Sequence, residues 1–308
     1  MESSKKTLWS IVSFVKDSPK NIRQFVSYHL GIGVHHMYLF FDDPNDKSAQ
    51  MLSHLDRVTV FRCDEEFWMK IGDRAKFNRH GVRQNKATTF GYTIAEGDWV
   101  LNLDSDEYLH AQMSDLLDNI ADDKLAVRLR PAEKVYLNGE MGRMFFRLPM
   151  EKRDVRQVHG KFAPNFVRRS GFFGHMDGKT FTRNNLEGVF LKAHSSHWPD
   201  GSTLDFVNIT ASGDCCILHC NAEDFEGWRK KLTFRLGTSS MPGPLRDMCR
   251  EFVDSGDLVN LRTVYESIFY LTNEQRLKMD ELGALFELEL ALDRFVSDYF
   301  PSNLERDG

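Results

Sequence analysis

Five consecutive residues, Leu103-Asp104-Ser105-Asp106-Glu107, hold the densest chemistry in the chain. They follow Trp99-Val100-Leu101-Asn102, an apolar run that reads as a central strand. In an extended chain alternate side chains share a face, so Asp104 and Asp106 could address one cation. Carboxylates suit Mg²⁺ or Mn²⁺, which take one or two protein oxygens and complete their shell from substrate phosphates. A nucleoside diphosphate would supply those oxygens, and the metal would neutralise charge developing as the diphosphate leaves a sugar. An Asp-x-Asp pair alone is weak, because most such pairs are solvated loop carboxylates. Its place at the end of a buried strand raises it, since acids there need a cation or donors. Asp42-Asp43, after an earlier apolar run, reads either as a partner for a nucleotide's ribose or base, or as the start of an Asp-Asp-Pro-Asn turn.

These residues need elements to position them. Trp9 to Val15 is a β-branched and aromatic run that predicts a buried strand. Asp17-Ser18-Pro19 then starts a helix with apolar positions Ile22, Phe25, Val26, His29 and Leu30, stopping at Gly31. Met37 to Phe41 predicts a second strand, Ala49 to Leu55 a short helix, Val58 to Phe61 a third strand, and Asn78 to Ala95 a helix leading into the fourth. This alternation implies an α/β fold with a mostly parallel, Rossmann-like sheet flanked by helices, whose ligands gather at the carboxyl ends of the strands. Gly31-Ile32-Gly33 follows a helix and lacks a third glycine, so it is a helix stop rather than a dinucleotide fingerprint. The middle holds short strand-like pieces, Leu125 to Leu129 and Gly188 to Lys192. From Glu223 onward the pattern is helical, with a capping box at Thr272-Asn273-Glu274-Gln275. Leu277, Leu282, Leu285, Leu288, Leu292 and Phe295 form an apolar stripe, read as core packing or as a homodimer face. The expected organisation is one catalytic domain over residues 1–236 and a C-terminal helical extension over 237–308.

Composition narrows the partners. The 40 basic and 45 acidic side chains leave a formal charge of −5, so no general field attracts nucleic acid. Five cysteines without a spaced framework favour a reducing, cytoplasmic setting. Leu8 to Val15, broken by Ser10 and Ser13, is too short to span a bilayer, and no transmembrane segment is expected. Acids Asp280, Glu281, Glu287, Glu289 and Asp293 weigh against a membrane-lying tail, and peripheral association at the inner face of the membrane stays an alternative. Between Glu140 and Arg183 ten basic residues stand against four acidic ones. Most such runs are solvated faces; otherwise Lys161 and Arg168 are the first candidates to hold a donor diphosphate or an anionic acceptor. Zinc is disfavoured at Cys215-Cys216-Ile217-Leu218-His219-Cys220, because a strand would split these ligands between two faces.

The ordered series resembles the GT-A-fold glycosyltransferases of family 2, in the bacterial branch that is similar to family 92. Val15-Lys16-Asp17, Tyr28-His29 with Gly31 or Gly33, Phe41-Asp42-Asp43 with Ser48, Arg83-Gln84, Trp99, and Leu103-Asp104-Ser105-Asp106-Glu107-Tyr108-Leu109 match in order. Lys161 through Arg168, then His175, then Ile217-Leu218-His219 with Phe225 and Arg235, continue it to about residue 236. Ser18, Gln24-Phe25 and Cys220 depart from the family pattern, which bears on the acceptor more than on the donor.

The resemblance implies a nucleotide-sugar donor, a UDP-sugar, bound with Mn²⁺ or Mg²⁺, and a glycan or lipid-linked acceptor of the kind met in polysaccharide biosynthesis. It implies metal ligation by Asp104, Asp106 and His219, and donor contacts from Lys16, Asp17, Asp42, Asp43, Arg83, Gln84, Asp104, Lys161, Arg168 and His175. Inverting transfer needs a carboxylate base. Glu151, Asp154 and Asp177 are candidates, with Asp177 preferred because it follows His175 in a Gly-flanked loop. Two rival readings are a nucleotidyltransferase using the same acids and a non-catalytic glycan- or nucleotide-binding relative. A haloacid-dehalogenase-like phosphatase fits worse, because its nucleophile is expected after the first strand.

Overall fold

The computed structural model describes residues 6–72, 79–137, 143–221, 224–237 and 241–301. Asn78, Glu140 and Glu223, which figured in the sequence reading, lie outside them. The chain forms two compact units. One gathers Met1–Leu129, Gly178–Thr210 and Ala291–Gly308; the other gathers Arg130–Asp177 and Ala211–Leu290. These units do not follow the expected division at residue 236, because long-range packing, not chain order, groups the segments.

In the first unit, elements are numbered along the whole chain. Strands β1 (Trp9–Val15), β2 (His36–Phe41), β3 (Val58–Arg62) and β4 (Trp99–Asn102) are mutually parallel. Together with β6 (Ala126–Leu129), β9 (Lys179–Arg183) and β12 (Phe206–Ile209) they form a sheet in the order β12-β6-β9-β4-β1-β2-β3. Strand β9 runs antiparallel to both β4 and β6. The unit also carries β5 (Glu107–His110), the pair β10 (Phe190–Leu191) and β11 (Ser196–His197), and helices α1 (Pro19–Gly31), α2 (Ser48–Met51), α3 (Glu65–Ile71), α4 (His80–Ile94), α5 (Met113–Asp118) and α11 (Leu292–Tyr299). This is a mixed α/β fold with a Rossmann-like parallel core. Chain order reverses beside β1, whose neighbours are β2 on one side and β4 on the other, and ligands of open α/β sheets bind at such switch points.

Local chemistry explains the elements that matter. Strand β1 is buried along its whole length, as expected for a strand covered on both faces. Helix α1 begins as anticipated: the Ser18 hydroxyl accepts the Asn21 N–H and Pro19 occupies the first turn. It ends at Gly31, and Gly33 adopts φ +97°, which only glycine takes without strain. Gly91 lets α4 lie close to the sheet, since a Cβ there would come within 2.7 Å of the Phe40 ring and 2.9 Å of Val12.

The second unit contains β7 (Pro131–Leu137), β8 (Phe145–Arg147), β13 (Cys216–His219), β14 (Tyr270–Leu271), β15 (Leu285–Glu287) and helices α6 (Lys152–His159), α7 (Phe225–Leu236), α8 (Gly243–Ser255), α9 (Leu258–Phe269) and α10 (Asn273–Glu281). Strand β7 pairs with β8, β13 and β14, and β15 extends the sheet beyond β8. The core joins Val135, Phe145, Phe173, Trp228, Tyr265 and Phe269 among others. The capping box at Thr272 is present, with the Gln275 side chain returning to the cap N–H. The apolar stripe is not one helical face. Gly283 at φ +61° ends α10, leaving Leu277 and Leu282 exposed there, Leu285 on β15, and Leu292 and Phe295 on α11 in the other unit.

Candidate active site

The acidic motif lies in the first unit at the switch point, and it is a turn rather than an extended segment. Strand β4 stops at Asn102, and the Glu107 N–H donates to the Asp104 carbonyl at 3.1 Å. The Asp104 N–H in return donates to Glu107 Oε2 at 3.0 Å. The shared-face argument for Asp104 and Asp106 therefore fails, and the two acids sit in different settings.

Asp104 is held from both sides. Gln84 Nε2, on α4, donates to its Oδ1 at 2.7 Å, and Lys179 Nζ, opening β9, donates to its Oδ2 at 2.7 Å. The same ammonium lies 3.2 Å from Glu107 Oε2 and donates to the Ala193 carbonyl at 3.1 Å. The Lys179 side chain is 0 % exposed, Glu107 1 % and Asp104 33 %, so the lysine is the buried counter-ion of the motif. Burial alone would push its pKa down; the charges and hydrogen bonds of Asp104 and Glu107 outweigh that and hold it above the usual lysine value. Neither Lys179 nor Glu107 was singled out as a site residue from sequence. Lys179 was one of ten basic residues in a long run, and nothing in its neighbours sets it apart.

Asp17, just beyond β1, reaches the same turn. Its Oδ2 accepts from Ser105 Oγ at 3.1 Å, while its Oδ1 takes the Ser18 N–H and Asn21 Nδ2. Asp42, beyond β2, forms a two-pronged pair with Arg83 of α4, with both bonds at 2.8 Å. Burial opposes ionisation of Asp42, but the Arg83 hydrogen bonds and charge, with His80 and Lys16 adding, hold its carboxyl below the usual range. Burial lowers the pKa of His80, which stands close enough to Asp42, Arg83 and Asp104 to feel their charges. Asp43 instead receives the Asn45 N–H at 2.9 Å, the turn-forming role. Asp106, between Ser105 and Glu107, is partly exposed.

The Tyr28-His29 pair has a positioning role. The Tyr28 hydroxyl donates to the Leu109 carbonyl at 2.7 Å. His29 links the Phe25 carbonyl through Nδ1 (2.7 Å) and the Leu109 N–H through Nε2 (3.3 Å). Burial lowers its pKa to about 3, so it stays a neutral imidazole that can donate from one nitrogen and accept at the other. Helix α1 thus clamps the strand that carries Glu107.

The remaining expected residues belong to the second unit. His175 and His219 come together there, with ring centroids 5.6 Å apart. Beside them Glu133 accepts from Arg147 Nε (2.9 Å), the Phe173 N–H (2.8 Å), the Gly174 N–H (2.6 Å) and Asn221 Nδ2 (2.5 Å). Burial would raise the Glu133 pKa, but Arg147, then His219 and the two N–H groups, bring it below the ordinary value. A Cβ on Gly174 would lie 3.1 Å from Glu133 Oε1 and from the His219 ring, so that position is packed against both. Lys161 and Arg168 are exposed on the 3₁₀ segments Gly160–Asn165 and Val167–Arg169. Of the carboxylates considered as base, Asp154 is buried and paired with Arg153, Glu151 is the exposed residue preceding α6, and Asp177 is exposed two residues before Lys179 in the chain.

No protein-family model and no curated protein matches the chain. Among solved structures it is similar to a mycobacterial protein at 13% identity, over 71% of this chain and 70% of that one, with a TM-score of 0.34. It is also similar to HddC from Yersinia pseudotuberculosis, at 9% identity over 72% of this chain and 99% of that one, with a TM-score of 0.36. A third likeness is to the bifunctional glycosyltransferase WbbM, at 10% identity over 59% of this chain and 32% of that one, with a TM-score of 0.29. No described helix is long and apolar enough to cross a membrane.

Proposed function

We propose that the protein is a metal-dependent glycosyltransferase that moves a sugar from a nucleoside diphosphate, a UDP-sugar, to a glycan or lipid-linked acceptor with inversion. The observation that carries this reading is the gathering of acids at the carboxyl ends of β1 and β4, linked by the Ser105–Asp17 hydrogen bond. Asp17, Asp104, Asp106 and Glu107 against Lys179 leave a formal −3. That surplus suits Mn²⁺ or Mg²⁺, whose remaining coordination positions the oxygens of a donor diphosphate would fill. Asp106 and Asp104 are the proposed ligands. A cation there would supply charge stabilisation for the departing diphosphate. The chain's own groups set the geometry: Lys179 and Gln84 fix Asp104, and Arg83 fixes Asp42 where it can meet the nucleoside. Asp177 is the proposed base for the acceptor hydroxyl.

Thermal unfolding with UDP, GDP, CTP and ATP, each with and without Mn²⁺, tests this. Stabilisation by UDP that requires Mn²⁺ and is absent in Asp106→Ala is the expected outcome. A response confined to triphosphates favours a nucleotidyltransferase, and a flat panel removes both readings. UDP release from UDP-sugars by the wild type but not by Asp104→Ala separates an enzyme from a binding relative.

A further inference from the structure

The second unit contains a cavity of about 810 Å³ lined by no residue of the acidic turn, with Arg168, which the resemblance offered as a donor contact, in its wall. It opens between the 3₁₀ segments following α6 and the start of α8. Among the described residues the charged ones lining it are Arg156, Arg168 and Arg169, with no carboxylate. In a chain of net charge −5 a concave wall of one positive sign is a local exception. Two of these arginines, Arg169 and Arg156, are also partly fixed. Arg169 Nη1 donates to the Phe173 and Gly174 carbonyls at 2.8 and 3.0 Å, and Arg156 Nη1 contacts the Lys152 carbonyl at 3.4 Å. Arg156 and Arg168 keep exposed side chains. Guanidinium groups present forked donors that match phosphate oxygens, and holding them in place lowers the ordering cost on binding.

The rest of the lining is of another kind. Val167, Met241, Pro242 and Pro244 contribute apolar surface, and a Cβ on Gly160 or Gly243 would meet no atom within 4 Å. The volume exceeds what inorganic phosphate needs and lies in the range of small-ligand pockets, ~300–1,000 Å³. We propose that this cavity binds a phosphate ester, its phosphoryl group on Arg156 and Arg168 and its organic body against the Val167–Met241–Pro242 wall. Such chemistry is shared by a prenyl phosphate and by a free sugar phosphate. The site involves none of the acidic turn, so it stands or falls separately from the donor reading.

Isothermal titration of the full chain in EDTA, which silences metal-dependent donor binding, tests the assignment with farnesyl phosphate and glucose 6-phosphate as probes. Saturable binding of either is expected, weakening as salt rises. Arg168→Gln should lower the affinity about 10-fold or more and Arg156→Gln/Arg168→Gln further, as expected for lost charge-assisted hydrogen bonds. Asp106→Ala should leave it unchanged. The two probes distinguish a lipid-borne from a soluble phosphate. Circular dichroism of the arginine variants, whose changed side chains are exposed, checks that they fold. No saturable binding of either probe at millimolar concentration, binding that survives the double substitution, or binding lost in Asp106→Ala would each overturn the proposal.

Discussion

Replacing Lys179 by Met removes the buried ammonium and leaves its partners in place. Glu107, 1 % exposed, then keeps a carboxylate whose counter-ion stood 3.2 Å away. At an effective dielectric near 20 that attraction is about 5 kcal/mol in gross terms. The loss is capped, because Glu107 can take up a proton instead. Protonating an ordinary glutamate of pKa about 4.3 costs about 3.7 kcal/mol at pH 7 and about 1 kcal/mol at pH 5. Asp104 adds less, since at 33 % exposure water can replace the lysine. The expected destabilisation is about 3–4 kcal/mol at pH 7, falling to about 1–2 kcal/mol at pH 5. The wild type adds no slope here. Its raised Lys179 pKa makes the ammonium's contribution complete below the usual lysine value and lost only when pH climbs through the higher folded one. Urea unfolding at the two pH values measures the difference, and adding Glu107→Gln to Lys179→Met should recover most of it. Equal destabilisation at both pH values, or no recovery in the double variant, would refute the reasoning.

Asp42→Asn, which breaks the two-pronged contact with Arg83, should cost about 1.5–3 kcal/mol at pH 7 in chemical denaturation. Because the folded Asp42 pKa is depressed, the wild-type contribution is present above the unfolded value and disappears as pH falls through the folded one, so the two proteins should converge in acid. In the second unit, Glu133→Gln strands the fully buried Arg147 and should destabilise by about 3–5 kcal/mol, while Glu133→Gln/Arg147→Met, which removes the stranded charge and keeps an acceptor oxygen at position 133, should be milder. Thermal unfolding of the three proteins compares them.

Much of the first unit was legible in sequence because its signals are local. The apolar runs of β1 to β4 and the Ser18-Pro19 start and Gly31 stop of α1 depend on residues within a few positions of one another, as does the Thr272 capping box of the second unit. The short helix α3 escaped notice despite its Asp64 cap, because seven residues give too little periodicity to register. The C-terminal stripe misled for the opposite reason. Its spacing looked continuous, yet Gly283 breaks the helix and the two ends serve different units.

Sequence by itself determined that acids follow the first, second and fourth strands, since side-chain type and chain order are properties of the chain alone. It also brought His175 and His219 forward, though only through resemblance. Tertiary structure decided what each acid faces. Asp104 meets Lys179 from 75 residues away and Asp17 meets Ser105 from 88 residues away. Asp42 became an arginine's partner while Asp43 closed a turn. A carboxylate's charge state and role depend on burial and on neighbours that only folding brings near, and no spacing rule along the chain carries that information.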